Sequence, residues 1–174
     1  MKISLRDILI TLLLAVAIFF LIRTSVQSFV VVGSSMQPNF QDGERLIINK
    51  LIYDFRQPER GEVIVFHPPS MQEEDYIKRV IALPGEAVAV KDGVIYINDH
   101  PLNEPYIKFP PAYTLEKEIV PENEYFVLGD NRNNSNDSHY GWTVPRGNII
   151  GKVCFIFWPP GELRLVYYPA LLNK

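Results

Sequence analysis

From Ile8 to Ile22 the chain is apolar at every position except Thr11, and Arg23 ends the run. This predicts a helix that is apolar all round, with charge only at its ends. As a helix the run rises about 22 Å, against roughly 30 Å of bilayer hydrocarbon. Extension to Val26, with the Arg23 side chain snorkelling, brings it to about 29 Å. We read it as a transmembrane anchor. A cleaved signal peptide has a similar charged start and short apolar core. Its cleavage-like Ala15-Val16-Ala17, however, lies inside the run and not after it. A buried core helix is the third reading. Lys2 and Arg6 precede the run and Arg23 follows it. That asymmetry predicts a single pass with a cytoplasmic N-terminus and the rest extracytoplasmic.

Beyond Arg23 the pattern changes to short β-branched and aromatic runs. They predict strands at 29–32, 45–50, 62–66, 75–82, 87–90, 94–97, 124–128 and 151–158. Lys91-Asp92-Gly93 joins two of them as a hairpin turn. The 14 prolines and 10 glycines punctuate strands rather than helices. No helical period is evident beyond the anchor, so the remainder is expected to be mainly antiparallel β. Residues 98–121 hold five prolines and read as a loop-rich excursion or small cap. The expected division is an anchor over 1–28 and an extracytoplasmic β-rich domain over 29–174.

Composition narrows the partners. The chain has 174 residues, 47% of them hydrophobic, and a formal net charge of −3 without a basic stripe. Nucleic acid is therefore not expected as a partner. Membrane attraction has to come from apolar sequence. The single Cys154 rules out an internal disulfide and reads as a small core residue. Together with the scattered His67, His100 and His139 it offers no metal spacing, and no cofactor is expected.

Three segments carry candidate chemistry. Gly33-Ser34-Ser35-Met36-Gln37-Pro38 places a serine in a turn just after a strand. Tyr76-Ile77-Lys78-Arg79-Val80-Ile81 sets two cations among apolar residues. Neighbours in a strand face opposite sides, so one of the two cations faces the more buried side. Burial there lowers a lysine pKa. The run from Gly129 to Ser138 is a dense polar loop directly after an apolar strand. Each has an ordinary explanation alone: a polar turn, an edge-strand lysine that discourages aggregation, a solvated loop.

Together the segments resemble the type I signal peptidase family. Ser35-Met36-Gln37-Pro38 is similar to its nucleophile box. Arg60-Gly61-Glu62-Val63-Ile64-Val65-Phe66 resembles its structural strand, and Lys78-Arg79-Val80-Ile81-Ala82-Leu83-Pro84-Gly85 its base box. Gly129-Asp130-Asn131-Arg132, with Ser135, Asp137 and Ser138, resembles its last box. The resemblance implies a signal-peptidase/LexA-like Ser–Lys protease fold behind one transmembrane helix. It implies Ser35 as nucleophile and neutral Lys78 as general base. By the same resemblance Ser135 hydrogen-bonds Lys78, Asp130 pairs with Arg79, Asp137 joins the supporting network, and the Ser35 backbone N–H helps form the oxyanion hole. The implied partners are the lipid bilayer and secretory preproteins, cleaved after small residues and bound as an added β-strand. Val30, Val31, Val32, Val80, Ile81 and Ala82 are expected to wall the pockets. Oligomeric state is left open.

The chain departs from the family pattern at Gly33, Asn39, Glu62, His139 and Trp142. Gly33 removes a second oxyanion donor that some members have. His139 opens an alternative Ser35–His139–Asp137 triad. Two other functions compete: a self-cleaving Ser/Lys repressor or polymerase subunit, and a non-catalytic, membrane-tethered β module.

Overall fold

The computed structural model describes residues 4–69, 74–166 and Tyr168. Its first element, α1 (Leu5–Ser25), starts at Ser4. The Ser4 hydroxyl accepts from the Asp7 N–H, and the Asp7 carboxylate accepts from the Ser4 N–H, a reciprocal cap that satisfies two orphan donors. At 1.5 Å per residue the 21 residues of α1 rise about 32 Å. The helix therefore reaches spanning length from Leu5 and not by running on to Val26. None of its residues is buried, and its mean hydropathy of 2.5 suits lipid. Lys2, part of the charge asymmetry, lies outside the described residues.

The β domain follows without a linker. Its elements are β1 (Val26–Val30), β2 (Arg45–Asn49), α2 (Ile52–Phe55), β3 (Val63–Phe66), β4 (Tyr76–Ala82), β5 (Ala87–Lys91), β6 (Val94–Ile97), β7 (His100–Pro101), β8 (Leu115–Ile119), β9 (Glu124–Leu128), β10 (Val144–Pro145), β11 (Ile149–Trp158) and β12 (Arg164–Leu165). They form two sheets with antiparallel pairing throughout the described strands. The larger runs β1-β2-β11-β3-β4-β9-β10, with β12 on β11; the smaller runs β7-β6-β5-β8.

Burial explains this layout. Along β3, Val63 and Val65 pack in one apolar cluster with Met36, Leu46 and Ile77. Ile64 and Phe66, on the other side of the pleat, pack in a second cluster with Val80, Tyr125 and Val127. A third cluster joins the small sheet, through Val88, Val90 and Ile95, to Ile81, Phe126 and Leu128. The sheet centre is therefore covered on both faces, and every residue of β3 is buried.

The mainly antiparallel β architecture behind one apolar helix matches the expectation. Boundaries differ at informative places. The expected anchor limit at residue 28 falls inside β1, because Val26–Ser28 already pair with Asn49–Ile47. Residues 31 and 32 lie beyond that strand. The excursion at 98–121 contains β8, which pairs with β5 and completes the small sheet. Its Leu-Glu-Lys-Glu-Ile sequence is too polar to announce a strand. Cys154 is half-buried rather than a core residue, with its Sγ 3.6 Å from the Lys152 carbonyl.

Candidate active site

Ser35 sits in the turn that follows β1. Gly33 opens the turn with φ +84°, a left-handed conformation that suits glycine, and its N–H donates to Asp42 Oδ1 at 2.7 Å. Met36 and Phe40 are buried and anchor the far side of the turn in the core. The last loop clamps it from across the site. The Asn131 N–H donates to the Ser35 carbonyl at 3.0 Å, and Asn131 Nδ2 to the Ser34 carbonyl at 3.1 Å. Asn134 Nδ2 donates to Ser34 Oγ at 3.0 Å. The Ser35 N–H donates to none of the described residues, which leaves it open to an incoming oxyanion.

β4 supplies Lys78 and Arg79, and both are buried, not one. The reason is the double-faced core: Lys78 pairs with Ile64 and Arg79 with Val63, whose side chains belong to the two opposite clusters. Arg79 is matched by a carboxylate. Its Nε and Nη2 donate to Asp130 Oδ1 and Oδ2 at 2.8 and 2.7 Å, its Nη1 to the Gly61 carbonyl at 2.8 Å, and its guanidinium lies 4.0 Å from the Tyr106 ring. Asn39 Nδ2 also donates to Asp130, at 2.7 Å. Lys78 has no carboxylate within ion-pairing distance among the described residues. Its Nζ donates to Ser35 Oγ at 2.8 Å and to the Ile77 carbonyl at 3.0 Å, and lies 5.1 Å from the Tyr76 ring. Burial pulls its pKa from 10.5 down to about 8, while the charges of Asp137 and Asp130 push the other way.

The loop after β9 closes the site. β9 lies beside β4, with Leu128 opposite Arg79, so the chain turns into the site at Gly129. Asp137 Oδ2 accepts from the Gly129 N–H at 2.9 Å, and Ser138 Oγ accepts from the Val127 N–H at 2.9 Å. The expected hydrogen bond from Ser135 to Lys78 is absent. Ser135 Oγ is buried, packed against Gly129, and has no hydrogen-bond partner among the described residues. Nor does His139 bond to Ser35; its ring is held by Asp137 instead. The triad is therefore not assembled.

A cleft of about 430 Å³ opens at Ser35 and Lys78. Phe29, Val30 and Val32 form one wall, and residues 74–77 with Asn136 the other. Val30 and Val32 thus line it as expected, whereas Val31 is core. Val80, Ile81 and Ala82 do not line it, because beyond Lys78 the strand runs into the covered centre of the sheet. The wall comes from the residues before Lys78. Tyr76, Asn131 and Asn134 also line or clamp the site, without a local signal in the sequence. Their partners lie far away in sequence: Asn131 and Asn134 contact Ser34 from 97 and 100 positions away.

An antiparallel β domain behind a bilayer-length helix, with a serine hydroxyl on a buried lysine in an open cleft, has the makeup of a peptidase. The family model described as signal peptidase, peptidase S26, matches residues 5–158. The chain belongs to this family and is a serine peptidase of the signal-processing kind. It is 46% identical over 162 residues to the signal peptidase I of Leptolyngbya laminosa, covering 88% of this chain and 79% of that one. It is 46% identical over 134 residues to the probable signal peptidase I-1 of Synechocystis sp., covering 73% and 68%. To the signal peptidase IB of Staphylococcus aureus strain MRSA252 it is 32% identical, over 97% of both chains. The crystal structure of a signal peptidase I from Enterococcus faecalis V583 aligns with a TM-score of 0.50 at 32% identity, covering 56% of this chain and 97% of that one.

Proposed function

We propose that Ser35 is the nucleophile and Lys78 the general base of this signal peptidase. The contact between Lys78 Nζ and Ser35 Oγ carries the reading, because it joins a hydroxyl to a lysine whose burial favours the neutral amine. As an amine, Lys78 takes the Oγ proton while Oγ attacks the scissile carbonyl, and then returns it to the leaving amine. The free Ser35 N–H receives the developing oxyanion. Asp130 holds Arg79, and Asp137 holds Gly129, so both support the site from behind. Ser135 packs on Gly129, beside the turn that carries Ser35.

The substrates are secretory preproteins bound as an extended strand between β1 and the start of β4. The cleft between Val30, Val32 and Ile77 takes the small side chains before the scissile bond. Helix α1 crosses the bilayer with its N-terminus cytoplasmic, and the domain from Val26 onward works outside the cytoplasm at the lipid surface.

The test is cleavage of a model preprotein by the full chain in detergent. Ser35→Ala and Lys78→Ala are each expected to lower kcat by about three orders of magnitude or more. The wild-type rate should rise with pH through about 8, where Lys78 loses its proton. Near-normal turnover by Lys78→Ala would remove the lysine from the mechanism.

A further inference from the structure

His139 has no task in the mechanism above, yet it is tied directly to the dyad's support. Asp137 is fully buried. Its Oδ1 lies 2.6 Å from His139 Nδ1 and accepts from the His139 N–H at 3.3 Å, while its Oδ2 accepts from the Gly129 N–H at 2.9 Å. Gly129 in turn packs against the Ser35 carbonyl and Ser135, with no space for a side chain. One carboxylate therefore links the imidazole to the backbone that abuts the nucleophile. The ring is held in place as well. Tyr113 stacks on it at 4.2 Å and 14°, and Tyr140 lies against it at 4.0 Å and 40°. With 13% of the side chain exposed, protons still reach it from solvent.

The charges around this group are few. Asp137 and Tyr140 belong to its own loop. Tyr113 comes from the 98–121 segment, and behind it stands the Arg132–Glu104 pair. Across Asp137 lie Lys78 and the Arg79–Asp130 pair. Both Arg–carboxylate pairs are internally balanced. Asp137 is the carboxylate whose charge acts most on Lys78, favouring its ammonium form. Among the described residues the one basic group within ion-pair distance of Asp137 is His139.

We propose that His139 is a positioning residue for the Ser35–Lys78 pair, acting through Asp137, and that the charge on its ring tunes how readily Lys78 serves as the base. Histidine is the side chain that changes charge near neutral pH. An imidazolium balances Asp137 and frees Lys78 to give up its proton. A neutral imidazole leaves the Asp137 charge acting on Lys78 and holds it as ammonium. The inference rests on the Ser35–Lys78 reading.

Its test is kcat/KM against pH for the full chain in detergent, comparing wild type, His139→Gln and His139→Arg. The midpoint of the acid limb is expected about half a pH unit higher in His139→Gln than in His139→Arg. Superimposable midpoints, including a uniform loss of rate in both variants, or a shift of the opposite sign, overturn the proposal. Failure of the dyad reading looks different: Lys78→Ala would then turn over normally and keep the wild-type acid limb.

Discussion

Burial of Lys78 holds its pKa near 8 in the folded chain, against about 10.4 when the chain unfolds. Between these values the unfolded chain binds more protons, so this group makes stability rise with pH from about 8 to about 10.4. Below pH 8 the fold carries an ammonium group in a site that penalises it. Lys78→Met removes the penalty while keeping length and packing. The variant should be inactive yet more stable than wild type at pH 7, by roughly 3 kcal/mol. The gain should shrink as pH rises through 8 and be gone above about 10.5. Urea denaturation at pH 7 and pH 10.5 measures it, and equal wild-type and variant stabilities at pH 7 would mean that Lys78 is not strained by its site. Arg79, its neighbour in β4, behaves differently because Asp130 matches it with two short hydrogen bonds. The same strand thus holds one cation that is neutralised by a partner and one that is driven toward the neutral form.

At the scale of elements, the site is made where the end of β9 meets the turn after β1. Gly129 is the contact point. A Cβ there would collide with Ser135, lying 2.7 Å from its Cβ, and with the carbonyl of Ser35. The serine side chain could yield, but the Ser35 carbonyl is backbone and carries the proposed nucleophile with it. Gly129→Ala should therefore lower kcat/KM by about 10²-fold, as a displacement of about 1 Å does elsewhere. Replacing Ser135 with alanine in the same chain should not restore the rate, since the clash with Ser35 persists. A Gly129→Ala enzyme with normal kcat/KM would show that the loop has slack enough to absorb the methyl group.

For the whole molecule, the division of labour lies between α1 and the two sheets. No residue of α1 is buried in the rest of the protein. The apolar clusters that hold the sheets draw on residues from Phe29 onward. Removal of residues 1–25 should therefore leave the unfolding temperature of the β domain within a few degrees of the full chain. It should also weaken association with lipid vesicles and slow cleavage of membrane-bound preproteins more than cleavage of short soluble peptides. Calorimetry and flotation with vesicles read the two effects separately. A large drop in melting temperature would mean that the helix packs on the domain after all.

The parts of this protein that depend on local pattern were legible from the chain alone. Apolar run length marked the helix, β-branched runs marked the central strands, and the order of three polar segments brought Ser35, Lys78 and the Gly129–Ser138 loop to notice. Strand β8 escaped because a half-solvated edge strand such as Leu-Glu-Lys-Glu-Ile has little apolar signal. Other features belong to tertiary structure because they arise between residues distant in sequence. Both Lys78 and Arg79 are buried because clusters cover both faces of β4, which no alternation within the strand reveals. The cleft wall falls before Lys78 rather than after it for the same reason. Ser135 finds no hydrogen-bond partner among the described residues, and Asn131 and Asn134 clamp the Ser34–Ser35 turn from nearly 100 positions away, whereas the Asp137 contacts to Gly129 and His139 are local to the closing loop. The chain by itself determined which side chains could do the chemistry. Packing decided which of them meet, because burial and charge at each depend on neighbours that only the folded sheet supplies.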